Sequence, residues 1–381
     1  MSSEKPKSSW GIGSVFGSMK SSVGNVVGGA ANFVGLGKSD SVETESGELN
    51  PNTTATKATR CDPIRFNSKD GKPIAGSTMS SRKRSKSMIP KEVVRDENGK
   101  EETHVWGHVD ASTYNLRVGP NYKKTGAKAP SAPALYEVIG MDLLKSENRI
   151  VDIGSLVHIP EEWKVNTNNP KVPPVVIVVA QLPDVSHALS GITNFFIDKS
   201  EGPGSTVAFY FRIRPETVEA LKDMTTCAPA LRFFAEFCST AAENKNYNNP
   251  KHPMAGRFKL CPLIDNIDDL GWPGFLSSYN AKPALIVQSA EVFRGDGYMC
   301  IDSNVHGFGG IARSAMQIVS LETMQMKWGF CIESREDSEM PEVLFGACFM
   351  DKPCMDVLPD WDLVLKERNT AQQKAPIDLM S

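Results

Sequence analysis

The sequence has no run of about 18 consecutive apolar residues, the length that a membrane-spanning helix requires. Its first residues lack the positively charged region and the apolar core of a secretory signal, and Ser2 excludes N-myristoylation. We therefore expect a cytoplasmic protein. Any contact with an intracellular membrane or a lipid droplet should be peripheral.

The eight cysteines show neither C-x-x-C pairs nor the spacing of metal ligands. Several lie inside apolar segments, as buried free thiols do in a reducing compartment. The net charge of the chain is −3, whereas a nucleic-acid-binding domain carries an excess of basic residues. No nucleic-acid partner is therefore expected.

Motifs that would identify an enzyme are absent as well. The sequence contains no G-x-S-x-G, H-E-x-x-H or G-x-x-x-x-G-K-[ST] motif, and no G-x-G-x-x-G follows a strand. We therefore expect a protein that is not an enzyme, with no catalytic residue, no metal and no cofactor.

Five polar side chains leave other chemistry open. His104 and His108 are four residues apart and could share a metal, although "HVWGH" favours an extended segment. His306 could act as a base, but no nucleophile stands at a recognisable spacing, which favours a loop histidine. Asp302 and Glu333 end two predicted strands, where they could form an acid–base pair or remain solvated charges.

The N-terminal segment 1–38 is rich in glycine and serine but carries an apolar stripe. At 100° per residue the apolar side chains of this stripe fall within an arc of roughly 120°, as in an amphipathic helix. The glycines would make this helix unstable in water, and burial in a lipid surface would supply the missing free energy. A flexible linker and a helix that docks on the protein's own core are the alternatives. The residues expected to contact the membrane are Trp10, Ile12, Val15, Phe16, Met19, Val23, Val26, Val27, Phe33 and Val34.

Residues 39–104 contain few large apolar side chains, so we expect a disordered linker. The linker includes the basic run "SSRKRSKS", in which Ser85 and Ser87 are candidate phosphorylation sites. This run could be a nuclear signal, a patch that attracts anionic lipid or a kinase substrate, and a solvated charge run is the simplest interpretation.

Short segments rich in β-branched and aromatic residues begin at residue 105 and predict about eight strands. The first of two helical regions, "PETVEALKDM" with "PALRFFAEFCSTAAENK", places Leu231, Phe234, Phe237 and Cys238 on one face. The second is "FGGIARSAMQIVSLE". The predicted strands are "TYNLRVG", "ALYEVIGMDLL", "PVVIVVAQL", "STVAFYFRIR", "KPALIVQSAEVF", "YMCID", "MKWGFCIES" and "VLFGACFM".

Helices and strands do not alternate one for one, which favours an α+β fold. We expect a mainly antiparallel sheet with the two helical regions packed on it over residues 105–362, preceded by a disordered N-terminal tail. Residues 363–381 should form a flexible C-terminal tail. The segment "FRGDG" predicts a turn that includes Arg294, Gly295 and Asp296.

The segments "LRVGPNYKKTGAKAP", "PPVVIVVAQLP", "GRFKLCPLI", "AKPALIVQSAEVFRGDGYMCIDSNVHGFGGIARSA" and "MPEVLFGACF" follow one another between about Tyr114 and Met350. In this order they resemble the C-terminal domain of the plant enhanced-disease-resistance-two protein family. The resemblance implies a cytosolic, membrane-associated regulatory domain without established catalysis. In the plant proteins this C-terminal domain follows a phosphoinositide-binding pleckstrin homology domain and a START lipid-binding domain. This sequence has no room for either module, and the amphipathic segment stands in their place.

Six of the cationic residues within the segments that carry the resemblance are candidates for a binding site. If they converge, they could hold a lipid head group, because arginine and lysine offer phosphate both charge and directed donors. Ion pairs within the protein are the alternative use. These residues are Lys123, Lys124, Arg257, Lys259, Arg294 and Arg313.

Three functions are therefore considered. The first is a peripheral lipid-associated regulatory protein, whose folded domain binds a lipid or a membrane-resident protein partner. The second is a protein-interaction scaffold that its tail tethers to the membrane, and a lipid-modifying enzyme comes third. An apolar cavity with a basic mouth would favour the first function, and a packed core would favour the second.

Overall fold

A computed structural model describes residues 64–79, 106–184, 202–307 without 273 and 279, and 321–366 without 354, 356 and 357. All of these residues belong to the unit Thr59–Ser381. The predictions for segment 1–38, for His104, for Ser85 and Ser87, for Arg313, for residues 308–320 of the second helical region and for residues 367–381 of the C-terminal tail concern residues outside these ranges. Residues 363–366 of that predicted flexible tail are helical.

The described residues form twelve strands, more than the eight that the sequence predicted. The strands are β1 (Trp106–His108), β2 (Asn115–Arg117), β3 (Lys128–Pro130), β4 (Tyr136–Ser146), β5 (Val175–Pro183), β6 (Gly204–Ile213), β7 (Phe258–Ile264), β8 (Ala284–Leu285), β9 (Ala290–Gly295), β10 (Tyr298–Asn304), β11 (Gln325–Ile332) and β12 (Leu344–Asp351).

These strands form three sheets instead of one. The first has the order β1-β12-β11-β7-β8, the second has the order β4-β6-β5-β10-β9, and β2 pairs with β3. All pairings between these strands are antiparallel except that of β5 with β10. The prediction of mainly antiparallel pairing is confirmed.

The helices in the described part of the chain are short. None of them is both long enough and apolar enough to cross a bilayer. Leu231, Phe234, Phe237 and Cys238 are all buried in the longest helix, which confirms their predicted face. The α-helices are α1 (Tyr122–Thr125), α2 (Ile153–Leu156), α3 (Pro215–Ala220), α4 (Pro229–Thr240), α5 (Gly274–Ser277) and α6 (361–366). The 3₁₀ helices are Ala111–Thr113, Glu161–Trp163, Glu243–Asn248, Ile267–Leu270, Val305–Gly307, Leu321–Thr323 and Asp337–Glu339.

Four strands account for the difference in number. β1 and β3 have only three residues each, too few for an alternating pattern. β7 contains Lys259 and Pro262, which interrupt its apolar pattern although Lys259 is buried. The segment "KPALIVQSAEVF" was predicted as one strand, but it is divided between β8 and β9.

The hairpin between β9 and β10 also differs from the prediction. Tyr298 pairs directly with Gly295, so the turn consists of Asp296 and Gly297. Gly297 has a φ of 73°, which favours glycine. Arg294 and Gly295 are therefore strand residues, and only Asp296 of the three predicted positions lies in the turn.

Aromatic side chains fill the space between the two five-stranded sheets. The ring centre of Phe209 in β6 lies 5.5 Å from that of Trp328 and 5.4 Å from that of Phe330, both in β11. Phe330 in turn lies 5.7 Å from Phe211 and 6.1 Å from Phe345 of β12. These are contact distances for aromatic pairs. This part of the core is therefore packed.

The second sheet is buried on both faces. Along β5, Val176 points toward the first sheet, and the next residue, Ile177, belongs to a separate apolar cluster on the opposite face. Burial on both faces explains the continuous apolar run of β5. The opposite face is covered by Ala75 from residues 64–79 and by Trp361 of α6, among other residues.

Candidate functional site

The family-like cations Arg257 and Lys259 lie at the beginning of β7, beside the end of β11. The antiparallel register pairs Lys259 with Cys331 and Phe258 with Ile332. The chain then continues from β11 into residues 333–342, which include five carboxylates. Strand pairing thus brings Arg257 and Lys259 next to an acidic segment that is distant from them in the sequence.

Lys259 and Glu342 form a buried ion pair, with the ammonium nitrogen 2.6 Å from a carboxylate oxygen. Glu342 also accepts the backbone N–H of Ser334 at 3.0 Å. Burial by itself opposes a charge on Lys259, but the neighbouring Cys331 and Glu342 outweigh it, so the pKa of Lys259 lies above its ordinary value. Lys259 is therefore charged and already paired.

Arg257 makes a comparable set of contacts. Its guanidinium donates to Glu339 at 2.7 Å and to the carbonyl oxygen of Glu333 at 3.0 Å, and it lies 4.7 Å above the Phe233 ring centre. Burial alone would raise the pKa of Glu339, but the hydrogen bond from Arg257 reverses this effect and holds that pKa below its ordinary value. Both charges are thus satisfied within the protein.

The remaining ion pairs extend this network toward the surface. Arg117 lies 2.9 Å and Arg335 lies 3.0 Å from Glu333. Lys123 of α1 is exposed and lies 3.2 Å from Glu336. We call the whole set the acidic-segment network. Its cations are Arg117, Lys123, Arg257, Lys259 and Arg335, and its acids are Glu333, Glu336, Asp337, Glu339 and Glu342.

Five positive and five negative charges balance in this network. A phosphate group would have to compete with carboxylates that are already bound at Lys123, Arg257 and Lys259. For these three residues the structure therefore agrees with the alternative of ion pairs within the protein. Head-group binding by them stays a prediction.

Arg294 and Lys124, the other candidate cations among the described residues, form no ion pair of this network. Arg294 in β9 donates to the carbonyl oxygens of Pro170, Lys171 and Cys238, each at 2.6 Å. Its guanidinium thus ties a loop and a helix to the second sheet. Lys124 is exposed on α1.

A shallow pocket lies next to the acidic-segment network. It is lined by Leu135, Ala230, Phe233, Phe234, Ile332, Ser334, Glu342 and Val343. The space inside the pocket is about 260 Å³ when its open mouth is counted, so the enclosed part is smaller than this. The pocket is thus an open depression and not the wide apolar cavity that would hold a lipid tail.

Asp302 is the centre of a second polar cluster, on the second sheet. It lies inside β10 and is fully buried instead of solvated at a strand end. Its carboxylate accepts the backbone N–H of Asp152 at 2.9 Å, and the thiol of Cys300 lies 3.2 Å away. Burial raises the pKa of Asp302 to about 7. Tyr298 completes the cluster by donating to Asp152 at 3.1 Å.

The structure does not bring Asp302 and Glu333 together as an acid–base pair. Asp302 in the second sheet accepts the backbone N–H of Asp152, which precedes α2, whereas Glu333 follows β11 in the first sheet and binds two arginines. His306 is buried in a 3₁₀ helix, and its backbone N–H donates to Asn304 at 3.0 Å. Within the described ranges, His, Cys, Asp and Glu form no group of three or more that could hold a metal.

Sequence reasoning missed Arg117 and Glu342 in the network and Asp142 in β4. Asp142 and Glu342 are buried acids, with exposures of 3% and 2%. In the sequence, both stand among apolar residues, in "GMDLL" and "MPEVLF". A lone acid in an apolar strand segment indicates a buried partner, which is the signal that could have found them.

The family model described as "Protein ENHANCED DISEASE RESISTANCE 2, C-terminal" matches residues 106–352. No curated protein and no solved structure matches the chain. The matched range contains all twelve described strands and the acidic-segment network, and it leaves out residues 64–79 and α6.

Proposed function

The chain belongs to the family of the C-terminal region of Protein ENHANCED DISEASE RESISTANCE 2, and on this premise we propose that it is a peripheral, lipid-associated regulatory protein of the cytoplasm. In this proposal residues 1–38 bind the surface of a membrane or a lipid droplet. The folded domain is a regulatory module that binds a membrane-resident protein. Neither part acts as an enzyme.

The apolar stripe supports the first part of the proposal. Phe16, Val23 and Phe33 belong to a face with no charged side chain, and Lys20 is the only charged residue between Trp10 and Gly37. Insertion would contribute roughly 1.5 to 3 kcal/mol for each fully buried large apolar side chain. With so little positive charge, the attraction should be mainly hydrophobic and should not require anionic lipid.

The aromatic layer between the two sheets carries the second part. Phe330 is fully buried and contacts three further buried rings, those of Phe209, Phe211 and Phe345. A lipid tail inside the domain would have to displace these rings. This packing favours an interaction module over a lipid carrier.

The acidic-segment network supports the same choice. Arg257 and Lys259, the two buried cations of the family-like segments, bind carboxylates of the protein. On α1, a head-group site would have the exposed Lys124 and the exposed Lys123, which is paired with Glu336. Exposed lysines attract anionic lipid by about 1 kcal/mol each and give little selectivity.

Mass spectrometry of lipid bound to the full-length protein tests the choice between module and carrier. The protein is incubated with phosphatidylcholine vesicles, separated from them by gel filtration and extracted. We expect far less than one lipid per chain. The Phe16→Asp/Val23→Asp variant, measured in parallel, removes vesicle carry-over through the tail as a source of signal. One defined lipid per chain in both the parent and this variant would contradict the proposal that the folded domain is an interaction module.

A further inference from the structure

Residues 64–79, which we call the strap, lie within the predicted linker but are folded against the family domain. The strap pairs with the segment that contains His158. The N–H of Ala75 donates to the carbonyl oxygen of His158 at 3.0 Å. The N–H of His158 donates to the carbonyl oxygen of Pro73 at 2.7 Å. The side chains of Asp70 and His158 lie 2.9 Å apart. The strap precedes the family match, and its binding surface lies within that match.

The centre of this surface is the buried carboxylate of Asp142 in β4. It accepts the backbone N–H of Gly76 at 2.8 Å, that of Thr78 at 2.9 Å and the Thr78 hydroxyl at 2.9 Å. The Thr78 hydroxyl oxygen in turn accepts the N–H of Leu143 at 3.0 Å. Burial raises the pKa of Asp142, and the hydrogen bonds from Thr78 and Gly76 oppose this shift. One acid thus recognises a Gly-x-Thr sequence through three donors.

Two glycines allow the strap to approach this closely. A Cβ atom on Gly76 would lie 3.1 Å from the Cα of Gly140, and a Cβ atom on Gly140 would lie equally close to Gly76. Gly76 also has a φ of 71°, a conformation that other residues rarely adopt. Gly140 lies at an irregularity in the pairing of β4 with β6. The surface therefore selects glycine at position 76.

The strap also covers a strand edge. β4 is the first strand of its sheet, so its outer side carries backbone groups without a neighbouring strand in that sheet. There, the Thr78 hydroxyl oxygen accepts the N–H of Leu143. The N–H of Lys145 donates to the carbonyl oxygen of Pro359 at 3.0 Å. Ala75 and Met79, on either side of Gly76–Thr78, are 4% and 2% exposed.

We propose that the outer edge of β4, with Gly140 and Asp142, is a peptide-binding site that the strap occupies in cis. The ligand that it recognises is an extended segment with the pattern small apolar, glycine, small polar, threonine, apolar. A partner protein with this pattern could take the place of the strap, as a peptide does when it binds the edge of a sheet. This inference does not depend on the proposed lipid contact.

Competition between cis and trans ligands gives a direct test. The trans ligand is a fluorescent peptide of residues 64–79, and its matched control carries Gly76→Val and Thr78→Val. In the parent protein the strap acts at a high effective concentration and should keep the peptide out. In full-length Gly76→Val/Thr78→Val protein the site should be vacant, so we expect at least tenfold tighter peptide binding than to the parent. The control peptide should not bind.

Two further measurements keep the outcome decisive. Adding Asp142→Asn to the variant should remove the peptide binding, because both carboxylate oxygens accept from the strap and the amide replaces one of them with an NH₂ donor. If the double variant does not fold, Thr78→Val alone should accelerate hydrogen exchange at Ala75–Met79 at least tenfold while β5 stays protected. Equal binding of the two peptides to the folded variant, or unchanged exchange in Thr78→Val, would overturn the proposal.

Discussion

The ammonium group of Lys259 lies 2.6 Å from a carboxylate oxygen of Glu342, and both side chains are almost completely buried. The two residues come from the beginning of β7 and from the acidic segment after β11. Such a pair contributes little net stability compared with apolar residues, but losing one partner leaves an uncompensated charge in the interior. Its role is thus to fix the acidic segment against the first sheet.

Lys259→Met should therefore lower the free energy of unfolding by roughly 3 to 5 kcal/mol, as measured by urea denaturation. The matched control is Lys123→Met, which breaks an exposed pair and should cost less than about 1 kcal/mol. Adding Glu342→Gln to Lys259→Met should recover part of the loss because the buried charge is then gone. Equal effects of the two single variants would contradict a buried, charged Lys259.

Asp302 predicts a pH dependence of stability. Its pKa is about 7 in the folded protein, whereas an unfolded aspartate titrates near 4. Between these values the folded protein keeps a proton that the unfolded chain has released. The free energy of unfolding should therefore fall as the pH rises from about 4 to 7, by up to roughly 1.4 kcal/mol per pH unit from this group, and level off above.

Urea denaturation between pH 5 and pH 8 checks this dependence. Asp302→Asn should flatten the decline. Asp296→Asn, an equivalent substitution in the exposed turn of the β9–β10 hairpin, should leave it unchanged. Identical pH dependence of the parent and Asp302→Asn would show that Asp302 is ionised throughout this range.

The basic run around Ser85 and Ser87 predicts a charge effect on membrane binding. Two aspartates at these positions should cancel part of the positive charge and weaken binding to vesicles that contain phosphatidylserine. Binding to pure phosphatidylcholine should not change. Thr53→Asp/Thr54→Asp adds the same charge elsewhere in the predicted linker and serves as the control. If both variants bind anionic vesicles as the parent does, the run has no electrostatic role there.

Local patterns predicted much of the fold. The apolar run of β5 and the apolar face of α4 are confirmed because burial alone determines them. The sequence did not predict β7, because the charge of Lys259 argues against burial unless Glu342, 83 residues away, is known to pair with it. The order of strands in two separate sheets depends on such long-range contacts.

The same limit applies to the candidate site. Residue type and family resemblance selected Arg257 and Lys259 correctly as notable cations, but their partners lie in a segment that is distant along the chain. The strap was hidden for a related reason. Residues 64–79 contain few large apolar side chains, and they are held by hydrogen bonds to Asp142 and by the close approach of two glycines, which leave no periodic pattern.

Flotation with vesicles tests the central claim, that the apolar stripe of residues 1–38 holds the protein on lipid. Full-length parent, Phe16→Asp/Val23→Asp and Ser18→Asp/Asn25→Asp are compared on small phosphatidylcholine vesicles. The two variants add the same charge to the same segment, on the apolar and the polar face of the predicted helix. We expect the parent and the polar-face variant to float and the apolar-face variant to remain in the soluble fraction. If all three proteins float, or if both variants fail to float, the apolar stripe does not hold the protein on lipid.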